Sequence, residues 1–113
     1  MPNTAAAVLR PAFPPADALA PTLHAAIADE LRLIAALLEG LAETLVGDEQ
    51  FAGRHIDELQ TFDLLIQCAD ESACVLDRLA AGAGPHAAIA PVRLSAVQDR
   101  LRAALDAAAH GSS

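Results

Sequence analysis

Tryptophan, tyrosine and lysine are missing from this chain of 113 residues, and aromatic side chains make up only 3% of it. A core without large rings depends on Leu and Ile, and any apolar seam left uncovered has much to gain from a second copy of the chain. Strand-favouring Val, Ile and Thr are sparse while Ala and Leu dominate, which favours an all-α fold over any sheet. Seven arginines against fifteen acids leave a net charge of −8, a balance that repels a phosphate backbone and speaks against nucleic acid as a partner. Cysteine is nearly absent too. Cys68 and Cys74 lie about 120° apart around one predicted helix and too far along its axis to bridge, so they read as reduced thiols of a cytoplasmic protein.

Several chemistries are excluded in the same way. There is no glycine-rich phosphate loop, nucleophile elbow or cysteine–histidine pair. His24, His86 and His110 are scattered and make no Glu-x-x-His spacing, and the two cysteines lack the close spacing of zinc ligands, so no metal of the chain's own is expected. The longest apolar-looking run is broken by Asp29, Glu30, Arg32, Glu39 and Glu43, and the N-terminus lacks the basic flank of a secretory signal. No contact with a membrane is expected.

What is present divides into four parts. Residues 1–20 hold four of the seven prolines, Pro14-Pro15 among them, and read as a flexible Ala/Pro-rich head in which Val8, Leu9 and Phe13 dock loosely at most. Residues 21–81 read as a helical hairpin. Its first helix starts near Pro21 and Thr22, runs to about Val46, and carries Leu23, Ile27, Leu31, Ile34, Leu38, Leu41 and Leu45 as its seam, widened by Leu33 and Leu37. The turn Gly47–Gly53 offers Asp48 as a cap, and the second helix spans Arg54–Ala81. Residues 82–90, opened by Gly82, Gly84 and Pro85, read as a loose linker. A last amphipathic helix over 91–109 presents Leu94, Val97, Leu101, Leu105 and Ala108 on one face, with Ser95 and Gln98 as a capping box. Two such hairpins would pair as a homodimeric four-helix bundle. The first 85 residues hold four arginines against thirteen acids, or −9, and the remainder three against two, or +1, so the last helix is suited to a separate contact.

Chemically usable side chains concentrate in the second helix of the hairpin. Leu59, Phe62, Ile66, Ala69, Ala73, Leu76 and Ala80 recur at three- and four-residue steps and form one buried face. A narrow polar stripe remains, holding Gln60, Asp63, Gln67, Asp70 and Glu71, and it sets Asp63 beside Gln67 one turn away. An ordinary solvated face produces the same spacing. The segment Leu59-Gln60-Thr61-Phe62-Asp63-Leu64-Leu65-Ile66-Gln67 nevertheless resembles the active-site helix of the CheZ family, chemotaxis phosphatases that dephosphorylate the response regulator CheY, where Asp-x-x-x-Gln lies mid-helix in a long hairpin. It departs from that pattern in a shorter hairpin, in Leu65 and Ile66 before the glutamine, and in Gln60 where an acid is usual.

That resemblance implies a reaction. Gln67 would orient a water for in-line attack on the aspartyl phosphate of a CheY-like response regulator, and Asp63 would pair with the regulator's lysine. Mg2+ would be supplied by the partner receiver, and the C-terminal helix would grip it, so Gln60, Asp70, Arg93, Arg100 and Arg102 are candidate partner-binding residues. Two other functions fit the same residues. One is a non-catalytic helical module that binds a receiver or kinase. The other is phosphotransfer, with His55, followed by Ile56-Asp57-Glu58, as an alternative phosphoacceptor.

Overall fold

The computed structural model describes residues 16–111, with side chains from residue 19 onward. Every regular element among the described residues is helical: α1 (Ala16–Val46), α2 (Glu49–Arg54), α3 (Ile56–Ala80), α4 (Pro85–Ile89) and α5 (Ser95–Gly111). The fold is all-α. Their arrangement is elongated, 76 × 36 × 20 Å, because α1 and α3 lie side by side and α5 makes few contacts with either.

Helix α1 begins at Ala16 and takes Pro21 into its interior, five residues before the start expected at Pro21. The missing N–H of Pro21 forfeits one backbone bond early in the helix, and the alanines at 16, 18, 20, 25 and 26 sustain the helical run around it. The expected head thus overlaps a helix at residues 16–20. Val8, Leu9 and Phe13 fall outside the described residues.

Residues 47–55 connect α1 to α3 and contain α2. Asp48 caps α2 by accepting hydrogen bonds from the backbone N–H groups of Gln50 and Phe51 at 3.1 and 3.2 Å. Residues distant in sequence then meet, Arg32 with Asp77, and Glu43 and Val46 with Asp63 and Ile66 around one groove. The buried face of α3 is the expected one, with Ala73 fully buried and Leu59, Phe62, Ile66, Ala69, Leu76 and Ala80 half-buried.

Helix α1 buries only part of the seam expected, with Leu31, Leu38 and Leu45 half-buried and the other four residues exposed. Its most buried residues are Ala28 and Ala35, and with Leu31, Leu38, Ala42 and Leu45 they trace a regular three- and four-residue step. Leu23, Ile27, Ile34 and Leu41 are instead 59, 40, 48 and 48% exposed, and Leu33 and Leu37 are exposed as well. Small methyl groups allow the two backbones to approach closely, so the alanine stripe packs inward and the leucine–isoleucine stripe beside it stays uncovered.

The C-terminal part is more ordered than a loose linker. Gly82 adopts φ +104° and closes α3, with the N–H of Ala83 donating to the Arg78 carbonyl at 2.9 Å and its own N–H to the Leu79 carbonyl at 3.1 Å. A Cβ at Gly82 would meet nothing within 4 Å, so the cost of Gly82→Ala is backbone strain alone. We expect that substitution to destabilise the fold by about 1–2 kcal/mol, read as a lowered urea midpoint at unchanged slope.

Proline then starts α4, inside the segment expected to be a linker, and buries Ala88 and Ile89. Ala88, with Val92 and Val97, packs on Val75 of α3, joined at the margin by Cys68, Leu79 and Leu94. Arg78 ties the layers by donating from Nε to the Ala88 carbonyl at 2.7 Å. Helix α5 starts at Ser95 rather than 91, and the expected capping box does not form. The Gln98 side chain turns back to donate to the Ala90 carbonyl at 3.0 Å, because the end of α4 lies within its reach. No helix among the described residues is long and apolar enough to cross a membrane.

Candidate functional site

The polar stripe of α3 is rigidly held because its opposite face is the buried seam against α1. Asp63 and Gln67 both project from this stripe as exposed side chains one turn apart. Neither makes a hydrogen bond or ion pair among the described residues. The amide of Gln67 is therefore uncommitted.

The two residues open onto different grooves. Asp63 lines one of about 450 Å³ with Glu39, Ala42, Glu43, Val46, Gly47 and Ile66. Three carboxylates from two helices make this groove electronegative, which suits a cationic side chain from a partner. Gln67 lines a second groove of about 410 Å³ with Asp70, Glu71, Arg93 and Leu94. A third, of about 350 Å³, continues from it past Asp70, Glu71, Cys74, Arg78, Pro91 and Arg93.

The structure thus brings Arg93 to Gln67 and Asp70, which share one face of α3 but lie more than twenty residues before it in the sequence. Arg93 stands between Val92, which is 6% exposed, and the half-buried Leu94, so the small C-terminal core sets its place beside α3. The other expected contact residues are not gathered there. Gln60 is exposed farther toward the start of α3, and Arg100 and Arg102 lie on α5 and line none of the three grooves. Arg102 donates to the Gln98 side-chain oxygen at 3.2 Å. Glu39 and Glu43 were missed at the sequence level. Their four-residue spacing on α1 was visible, but only the packing of the two helices places them around Asp63.

Along the same face Arg32 forms an ion pair with Asp77, bridging α1 and α3, and another with Asp29 at 3.5 Å. The hydrogen bond to the Asp77 carboxylate holds the Arg32 guanidinium above the usual arginine range, so this cation stays charged at every accessible pH. Arg78 is committed through Nε to Ala88, while its buried Nη2 has no hydrogen-bond partner.

His55 occupies the junction between α2 and α3. Its ring stacks on Phe51 with centroids 4.4 Å apart, and its Nδ1 lies 3.6 Å from a Glu58 carboxylate oxygen. One ring face is therefore covered, while the side chain remains 42% exposed. No group of three or more His, Cys, Asp or Glu among the described residues is placed to hold a metal ion.

Compared with known proteins, the chain matches no family model, no curated protein and no solved structure.

Proposed function

We propose that this protein is a phosphatase acting on a phosphorylated CheY-like response regulator. The observation that carries the reading is the free amide of Gln67, exposed on a rigid helix one turn from the free carboxylate of Asp63. An amide both accepts from and donates to a water without changing protonation, and phosphoryl transfer needs chiefly positioning and charge stabilisation. Gln67 orients a water in line with the aspartyl phosphate. The water oxygen bonds to phosphorus as the bond from phosphorus to the aspartyl oxygen breaks. The carboxylate leaves with the electron pair, and the water's proton passes to the departing inorganic phosphate. Asp63, in its electronegative groove, pairs with the receiver's lysine, and the receiver supplies the magnesium.

The same reading includes a cytoplasmic homodimer. Helices α1 and α3 act as an antiparallel hairpin whose uncovered stripe, Leu23, Ile27, Ile34 and Leu41 with Leu65 of α3, covers its counterpart in a second copy to make a four-helix bundle. Support for it lies in the thin interior of one chain, in which no large side chain among the described residues is fully buried. Ile34→Glu places a charge in that seam. We expect sedimentation equilibrium to give twice the chain mass of 11.6 kDa for the wild type and the single-chain mass for the variant. A wild type that sediments as a monomer refutes the bundle.

The function is tested by the rate of phosphate loss from the cognate receiver, phosphorylated by its kinase, with wild type and with Gln67→Ala. Acceleration by wild type alone supports the phosphatase. Binding without acceleration makes the chain a receiver-sequestering module, and transfer of label onto the chain, prevented by His55→Ala, makes it a phosphotransfer protein.

A further inference from the structure

We infer that Arg93 is a second catalytic residue of the Gln67 groove, where its guanidinium contacts the phosphoryl group in transit. This inference rests on the phosphatase reading and adds a cation to it that the α3 stripe does not contain. Three observations lead to it.

The first is convergence. Gln67 and Arg93 line one groove of about 410 Å³, although they come from different parts of the fold. The second is pre-organisation at both points. Gln67 immediately precedes Cys68, and Arg93 lies between Val92 and Leu94, all three of which belong to the cluster that joins α3 to the C-terminal segment. The N–H of Val92 donates to the Ile89 carbonyl at 2.9 Å, and the Leu94 carbonyl accepts from the N–H of Gln98 at 3.0 Å, so the backbone on each side of Arg93 is tied down. The third is availability. Arg93 forms no ion pair or hydrogen bond among the described residues, even though Asp70 and Glu71 line the same groove. Arg78, the other arginine at that end, already donates to a backbone carbonyl.

The chemistry needs such a group. As the water attacks and the aspartyl oxygen departs, negative charge spreads over the three equatorial phosphoryl oxygens. A guanidinium offers paired N–H donors in a planar fork that matches two of those oxygens, and it cannot lose its proton in doing so. Gln67 serves the entering water while Arg93 serves the phosphoryl oxygens. The reaction is unchanged in its balance, since Arg93 neither gains nor loses a proton.

The test uses the full chain, a phosphorylated receiver for turnover, and the same receiver loaded with beryllofluoride as an unreactive phosphate mimic for binding. Arg93→Ala is expected to lower kcat by about a hundredfold while changing KM and affinity for the loaded receiver by no more than about threefold. Arg93→Lys should recover part of the loss as a point charge. Arg54→Ala removes the same charge from α2 and should match wild type. Because Arg93 is exposed, the thermal melt of the alanine variant should overlay that of wild type, which separates the effect from one on folding. If Arg93→Ala retains full kcat while Gln67→Ala is inactive, the inference is overturned and the phosphatase stands. An unchanged kcat with raised KM also overturns it, making Arg93 a docking contact. A wild type that leaves phosphate loss unaltered sinks both.

Discussion

Gln67→Ala is expected to cut the stimulated rate of phosphate release by roughly a hundred- to a thousandfold, the usual scale for losing one preorganised polar group that acts on the transition state. Binding of the phosphorylated receiver should survive almost unchanged, because an amide that orders a water contributes little to the complex before the water attacks. The side chain is exposed and has no internal partner, so its removal leaves no buried polar group behind. Melting temperature should therefore hold, and the defect should appear in kcat alone. Gln67→Glu offers a sharper contrast. A carboxylate accepts from water but cannot donate, and its charge repels the phosphoryl oxygens, so the acidic variant should be no more active than the alanine one. Single-turnover measurement at saturating phosphatase separates the chemical step from docking. Full activity in the alanine variant would remove Gln67 from the mechanism and return the stripe to the role of a contact surface.

Ala73→Asp should unfold the chain. Ala73 is fully buried in the α3 seam, and no polar residue is buried anywhere among the described residues to receive a carboxylate. An unpaired charge there costs several kcal/mol, comparable with the whole stability of a small domain. Among the described residues the buried set is Ala28, Ala35, Ala73, Val75, Ala88, Ile89, Val92 and Val97, so little reserve exists to absorb that loss. Far-UV circular dichroism at 25 °C should show the helical signal largely gone. Ala36→Asp, on an exposed face of α1, introduces the same side chain and should shift stability by no more than about 0.5 kcal/mol. Equal tolerance of the two changes would mean that the alanine seam does not hold the helices together.

The contrast between the two long helices explains why one face was legible in the sequence and the other was not. On α3 the large apolar residues at 59, 62, 66 and 76 fall on one side, the polar stripe on the other, and periodicity alone identifies the buried face. On α1 two apolar stripes compete. Hydropathy ranks Leu23, Ile27, Ile34 and Leu41 above Ala28, Ala35 and Ala42, yet the alanines face α3, because closeness of approach is set by side-chain size as well as by hydropathy. Local chemistry was readable where it acts within a few residues. Asp48 caps α2 as its type and place suggest, whereas Gln98, equally suited to a capping box, bonds to α4 instead.

The candidate site shows the same division. Asp63 and Gln67 share a helix, so four residues of sequence suffice to put them side by side on the exposed stripe. Arg93 reaches the groove of Gln67 only because Ala88, Val92 and Val97 fold back onto Val75, and Glu39 and Glu43 reach Asp63 only because α1 lies against α3. By itself the sequence determined the helical class, the buried face of α3, the cap at Asp48 and the placing of Asp63 one turn from Gln67 on an exposed stripe, all of which follow from composition and from spacings within a turn or two. Tertiary structure alone decided which stripe of α1 is buried, that residues 85–89 form a packed helix, and that an arginine stands beside Gln67. Those outcomes depend on contacts between residues far apart in the chain, where side-chain volume and the path of the backbone outweigh any local preference.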